Sequence, residues 1–271
     1  MKKIIAFIGL IILLGQTARS QCTAENFAFQ AGESLNYKLY FHWKFIWITA
    51  GSASLTIKDT KYQGAPAYQC DLITRTNKRI DKFFVMRDTL ISIVSQDMAP
   101  RYYRKGALEG DRYKVDEVWY NYPDGKSQIK QKYKNHQNEI TINERTSDEC
   151  IYDMVSMLLR ARSFDPQNYK INQKIKFLMA DGGKVKNETL IYRGKEKFTV
   201  EETGETFRCL VFSFVEYKKG KEKEVDTFYV TDDANHLPVR LDMYLNFGSA
   251  KAFLTSHKGV RNPLKSLLPK E

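Results

Sequence analysis

Few residues in this chain combine a reactive type with a spacing that chemistry could use. Four histidines, His42, His136, His236 and His257, are scattered along 271 residues. None shares with another the short spacing that gathers metal ligands, so each is expected to be structural or exposed, and no metal is expected. The chain has no H-E-x-x-H, no G-x-S-x-G and no glycine-rich phosphate loop. Ser156 falls inside a predicted helix rather than on a strand-to-helix elbow, which makes it a poor nucleophile. Asp232-Asp233 lacks the regular oxygen spacing of a calcium loop and reads as a turn before a strand at Leu237. Asp153 and Arg162 are the helix charges of interest. They are too far apart for an i, i+4 pair, so each is expected to meet a partner elsewhere and to join helix to sheet. A hydrolase built on Asp153 or Asp81 would need a cleft where carboxylates converge. This pattern assigns no catalytic residue and no cofactor.

The binding candidates are apolar. Trp43 and Trp47 belong to the aromatic run Phe41-His42-Trp43-Lys44-Phe45-Ile46-Trp47, and Met154 and Leu158 lie on the predicted helix. These four are expected to line an apolar or amphipathic ligand, such as a lipid, held between sheet and helix. Ala50-Gly51-Ser52-Ala53 is small enough to let another backbone or a ligand come close. Lys130, Lys132 and Lys134 share one face of a strand, which reads as a solvated edge or a contact for anionic headgroups.

These residues need elements to hold them. The spacing predicts one helix over residues 147–163 (SDECIYDMVSMLLRARS), with an apolar stripe at Ile151, Met154, Val155, Leu158 and Leu159. Thr146 and Glu149 form a T-x-x-E capping box, and Asp165-Pro166 ends the helix. Strand patterns flank it on both sides. Leu35, Tyr37, Leu39 and Phe41 alternate with polar positions. Residues 68–74, 80–94 and a strand from Pro100 follow. Residues 113–122 and 127–133 form a hairpin about Pro123-Asp124-Gly125. After the helix come strands over 174–179, 185–193 and 196–202. Hairpins over 207–218/222–231 and 237–247/251–257 complete the set, and the proline-flanked residues 262–271 read as a flexible tail.

Residues 1–20 have the form of a signal peptide. Lys2 and Lys3 precede an apolar run from Ile4 to Leu14, too short to span a bilayer, and Ala18 and Ser20 suit cleavage before Gln21. Arg19-Ser20-Gln21 before Cys22 makes a poor lipobox, so a soluble periplasmic protein is favoured over an outer-membrane lipoprotein. Losing residues 1–20 removes three basic residues and lowers the formal charge from +11 to +8. In an exported protein that surplus does not point to nucleic acid, although phosphate-rich membrane surfaces and acidic glycans remain open. No later stretch is long and apolar enough to cross a membrane as a helix. Cys22, Cys70, Cys150 and Cys209 allow three full pairings. Cys70 and Cys209 read equally well as small buried strand residues.

Several short pieces recur in a recognisable order. They are Gly32-Glu33-x-Leu35-x-Tyr37, Ala50-Gly51-x-Ala53, Asp81-Lys82-Phe83 with Arg87-Asp88, and Glu109-Gly110. They continue with Asp153-Met154-Val155-Ser156-Met157, Ala161-Arg162-x-x-Asp165, residues 231–239 (TDDANHLPV), and Gly248-Ser249-Ala250. With them the chain resembles the exported bacterial proteins of domain-of-unknown-function family 3108, over roughly Ala31 to Lys258. That resemblance implies export and a β-rich fold, and no established activity. Leu159 and Arg160 depart from it where aromatic residues are expected.

The expected architecture is mainly β: an antiparallel, strongly curved sheet or half-open barrel with one amphipathic helix packed against it. Residues 21–261 would form a single domain. Two roles in the cell envelope compete. One is a non-enzymatic protein with a lipid or lipoprotein ligand between sheet and helix. The other is a scaffold with an envelope protein partner, no small ligand and a filled interior.

Overall fold

The computed structural model describes residues 22–43, 46–218, 220–245 and 248–269. The predicted signal peptide lies outside these residues. Eight strands follow one another as an antiparallel meander: β1 (Ser34–Trp43), β2 (Ile46–Tyr62), β3 (Ala65–Thr76), β4 (Met86–Ser95), β5 (Pro100–Glu109), β6 (Arg112–Asn121), β7 (Ser127–Lys134) and β8 (Ile140–Ser147). A two-residue strand, β9 (Ile151–Tyr152), leads into the helix α1 (Met154–Arg162). A second meander follows: β10 (Lys174–Asp181), β11 (Lys184–Val200), β12 (Glu205–Lys218), β13 (Lys221–Thr231), β14 (Pro238–Leu245) and β15 (Gly248–Lys258). β15 returns to pair with β1, with Tyr37 opposite Leu254, so both meanders form one sheet in the order β8 to β1, then β15 to β9. Among the described residues only the β9–β10 pair is parallel.

The sheet curls until its two ends meet. Asn143 on β8 donates to the Gly183 carbonyl at 2.7 Å, and the Gly182 amide donates to Asp116 at 2.7 Å. The Ile151 amide donates to the Ser127 hydroxyl at 3.3 Å. The result is a mainly β, nearly closed barrel with one helix. Closure hides most of the strand edge that an open sheet of this size would offer for aggregation.

Alternation along each strand fills the interior. Leu35, Tyr37, Leu55, Ile57, Cys70, Leu90, Tyr103, Val118 and Ile129 form one buried core with Val155 and Leu159 of the helix. Burying each large apolar side chain contributes about 1.5–3 kcal/mol. Met157, on another face of the helix, joins a second cluster with Tyr152, Phe177, Leu190, Tyr192, Leu210 and Phe212. The helix is thus apolar toward two cores. Gly51 shows what the small run on β2 is for. A Cβ there would lie 2.0 Å from the Arg75 carbonyl oxygen, so the close neighbour is the backbone of β3.

Several expectations from local pattern need correction. The helix begins at Met154, not near Ser147, and its N-cap is Asp153. The Asp153 carboxylate accepts from the Val155 and Ser156 amides, and the Ser156 hydroxyl accepts from the Asp153 amide, a capping box between the N-cap and the third helical residue. Thr146 is instead on β8, paired opposite Gln128 of β7. Ile151 fitted the helical stripe but pairs in parallel with Leu178. Tertiary pairing therefore overrides helix propensity across residues 147–152.

The buried face of the helix is also rotated from the predicted one. Val155, Leu159 and Arg162 are buried, Leu158 is half-buried and Met154 is 38% exposed. β4 starts at Met86 rather than Ile80, because residues 80–82 form a short 3-10 turn whose entry is capped by Asn77. The two strands expected over 185–193 and 196–202 are one strand, β11, bent by a register shift at Gly194, where φ is +113°. β7 is not an edge, since β8 covers it, and two of its lysines, Lys130 and Lys132, pair with Glu144 and Glu117.

The predicted tail is docked through Leu268. Ser266 is buried and its hydroxyl donates to Asp233 at 2.6 Å. The Arg208 amide donates to the Ser266 carbonyl, and the Leu268 amide donates to the Thr206 carbonyl. These bonds are made with distant β12, so aperiodic local sequence carries no sign of them. Of the possible cysteine pairings the fold makes one, Cys22–Cys150, across 128 residues, while Cys70 and Cys209 are buried thiols. Closing a loop of that length is worth roughly 5 kcal/mol in the chain-entropy picture.

Candidate functional site

The helix is held in place by its polar residues. Asp153 is fully buried, and besides capping α1 it accepts from Ser92 on β4 at 3.1 Å and from Tyr120 on β6 at 3.3 Å. Burial pushes its carboxyl up to about 6, against the opposing pull of these hydrogen bonds. With its oxygens engaged in the interior it cannot reach a substrate in water. Asp81 is elsewhere, on the β3–β4 connection. There a hydrogen bond from Arg87, and then one from Thr76, holds its carboxyl below the usual range. The two carboxylates do not converge.

Arg162 sits at the far end of α1. Its guanidinium donates to both carboxylate oxygens of Glu33, 2.9 Å from Nη2 to Oε2, and to the carbonyls of Asn235 and Ala28. The Phe29 ring lies 5.6 Å away, and His236 bonds the Arg162 carbonyl through Nδ1 at 2.6 Å. Burial, the larger influence, lowers the His236 pKa. One end of the helix is thereby bound to the N-terminal arm and the β13–β14 connection, while the other is bound to β4 and β6.

A second polar group inside the barrel escaped sequence reasoning. Tyr103 is fully buried and its hydroxyl has no partner; the same holds for one oxygen each of Asp88 and Gln131. Gln131 donates to Asp116, and Lys105 pairs with Asp181 at 3.2 Å. The signal was present: Asp116 and Gln131 occupy the inward phase of β6 and β7, shared with Val118, Tyr120 and Ile129. A polar residue in an apolar phase marks a buried polar group. Among the described residues no group of three or more histidines, cysteines or carboxylates could hold a metal ion.

Burial, and then Glu109, raise the Asp88 carboxyl to about 6. A carboxyl raised in the fold above its unfolded value, about 4, contributes stability below pH 4 that is lost as pH rises through 6. Asp88→Asn, which keeps the neutral form, is expected to stabilise the protein at pH 8 by up to about 3 kcal/mol and to do little at pH 4.5. Equal shifts in thermal unfolding at both pH values would show that Asp88 is solvated.

The four apolar candidates are not brought together. Met154 and Leu158 lie on α1, Met154 exposed and Leu158 half-buried at the margin of the main core. Trp47 lies near the start of β2, 44% exposed, stacked on His42 at 4.5 Å with the Lys251 ammonium 4.8 Å from its ring centroid. Trp43 ends β1, and its side chain is outside the described residues. The Trp47 end of the barrel is where exposed apolar surface collects. Ile46 (65% exposed) and Trp47 face water beside Tyr244 and Leu245 of the neighbouring hairpin. Asn77 ties the β3–β4 connection to Thr49 and Ala50 of β2, and that connection presents Phe83, 85% exposed, and Phe84. The Gly110 amide donates to the Val85 carbonyl and brings the β5–β6 turn alongside.

The comparisons with known proteins concern the fold and the family. A β-barrel-like protein from Brucella abortus, with a domain of unknown function called DUF1849, has a similar structure. Its TM-score is 0.56 at 10% identity, covering 85% of this chain and 99% of that one. A Bacteroides fragilis protein with a YmcC-like fold aligns at a TM-score of 0.35 and 10% identity, covering 87% of this chain and 99% of that one. Among curated proteins none matches the sequence. The family model described as "Protein of unknown function (DUF3108)" matches residues 36–255.

Proposed function

We propose, for a chain that belongs to the DUF3108 family, a role as an exported envelope protein that acts through its outer surface and encloses no small ligand. One observation carries this reading: the space between helix and sheet is occupied by the protein's own side chains. Val155 and Leu159 are fully buried against the main core, and Met157 is buried against the second. A ligand in that space would have to displace α1 and break the Asp153 and Arg162 contacts. Export is supported by the signal-like residues 1–20 and by a disulfide, which persists in oxidising compartments. The Cys22 sulfur is bonded to Cys150, so it has no valence left for a thioether-linked lipid, which favours a soluble periplasmic form over an outer-membrane lipoprotein.

Native mass spectrometry of protein purified gently from the envelope tests this. The expected species begins at Gln21, carries one disulfide and holds no small molecule. A co-purifying lipid that protects the helix from hydrogen exchange would overturn the surface reading. A chain beginning at an acylated Cys22 would overturn the soluble one.

A further inference from the structure

The two ends of the barrel differ in chemistry. Strands alternate in direction, so the β2–β3, β4–β5, β6–β7, β8–β9, β11–β12 and β13–β14 connections share one end. Counted with one strand residue on either side, these six hold nine acidic residues and one basic residue. The sector formed by the described ends of β1, β2, β14 and β15 with the β3–β4 and β5–β6 connections lies at the other end, and it is different. Lys78, Arg79 and Lys82 surround Phe83 and Phe84, and Arg112 follows on the β5–β6 turn. Asp81 and Glu109 in this sector are matched by Arg87 and Lys114, and Asp111 offsets one further cation, which still leaves a surplus among Lys78, Arg79, Lys82 and Arg112. Lys251 lies over the exposed Trp47 ring.

Exposed Trp, Phe and Ile beside Lys and Arg is the composition that settles at a bilayer interface. The rings enter the headgroup level, and the cations meet lipid phosphates. The far end has no comparable cationic surplus, since its acidic residues are offset only in part by Lys126, Lys195, Arg208 and the tail's Arg261 and Lys265, so the Trp47 sector is the end that approaches.

We infer that the sector carrying Trp47 and Phe83 docks the barrel onto a membrane leaflet rich in anionic phospholipid. This rests on the reading that the protein works through its surface, and it names the partner of that surface. Docking is peripheral and reversible: the connections supply a few side chains and no spanning segment.

The test is co-sedimentation of the mature protein with vesicles of phosphatidylcholine alone and with phosphatidylglycerol added at one part in three. Binding is expected only to the anionic vesicles and is expected to weaken as salt rises, because exposed charges are screened. Phe83→Ser is expected to lower the partition coefficient at least tenfold, and Lys78→Glu with Arg79→Glu similarly, with thermal unfolding unchanged because these side chains are on the surface. Ile171→Ser, 67% exposed outside this sector, is expected to leave binding intact. Equal binding to both vesicles, or binding indifferent to Phe83→Ser and the charge variant, would overturn the inference. So would a protein partner that protects this sector while vesicles do not, yet that result would leave the surface reading standing. A lipid retained inside the barrel would instead remove the surface reading.

Discussion

Arg162→Ala is expected to cost about 3–5 kcal/mol, because it strands a buried carboxylate. Glu33 is 1% exposed, and both its oxygens are satisfied by the guanidinium. The substitution also removes donors from the Asn235 and Ala28 carbonyls. Thermal unfolding should fall by roughly 6–20 °C for a domain of this size. The double variant Glu33→Leu with Arg162→Met should lose less than the single variant, since two matched apolar groups leave no buried charge. If the single variant unfolds within about 1 kcal/mol of the parent, the pair is hydrated and does not hold the helix.

Leu159→Asp should be the most damaging change on the helix, well beyond Leu158→Asp. Leu159 is unexposed in the main core, whereas Leu158 is half-buried at its margin. A carboxylate at 159 would be buried with no partner, at a cost of several kcal/mol, roughly 3 or more. Should that variant not fold, Leu159→Ala still reports, with an expected loss of about 2–5 kcal/mol against a smaller loss for Leu158→Ala. Equilibrium denaturation of both pairs decides. If the variants at 158 prove the more damaging, the helix is rotated from the orientation described.

Those two substitutions also mark where sequence reasoning stopped. Periodicity treats Leu158 and Leu159 alike, and although Arg162 is expected to meet a partner off the helix, nothing local names that partner. The helix is rotated because Arg162 lies inside, and Arg162 lies inside because Glu33, 129 residues away, meets it there. The functional candidates divide in the same way. Trp47 reads in the sequence as lining a ligand between sheet and helix, but the ring meets His42 of β1 and Lys251 of β15 on the outside. Met154 and Leu158 were grouped with it by hydrophobicity alone.

Signals that live within a few residues were readable directly. Inward alternation placed most strands of both meanders, and Pro123-Asp124-Gly125 marked the β6–β7 connection. The mainly β class followed from equally local patterns. Four features were not readable in this way: the pairing of Cys22 with Cys150, the parallel contact of Ile151 with Leu178, the closure of β8 on the Gly183 turn, and the docking of Ser266 under Asp233. Each joins groups far apart in the chain whose own neighbourhoods allow several partners. β8 is the plainest case, because nearly all its residues are exposed and it exists only by pairing with β7. Local sequence sets the cost of each backbone conformation and which faces avoid water. Which distant face or group then satisfies them is settled when the sheet closes, because only then do the competing partners come within reach.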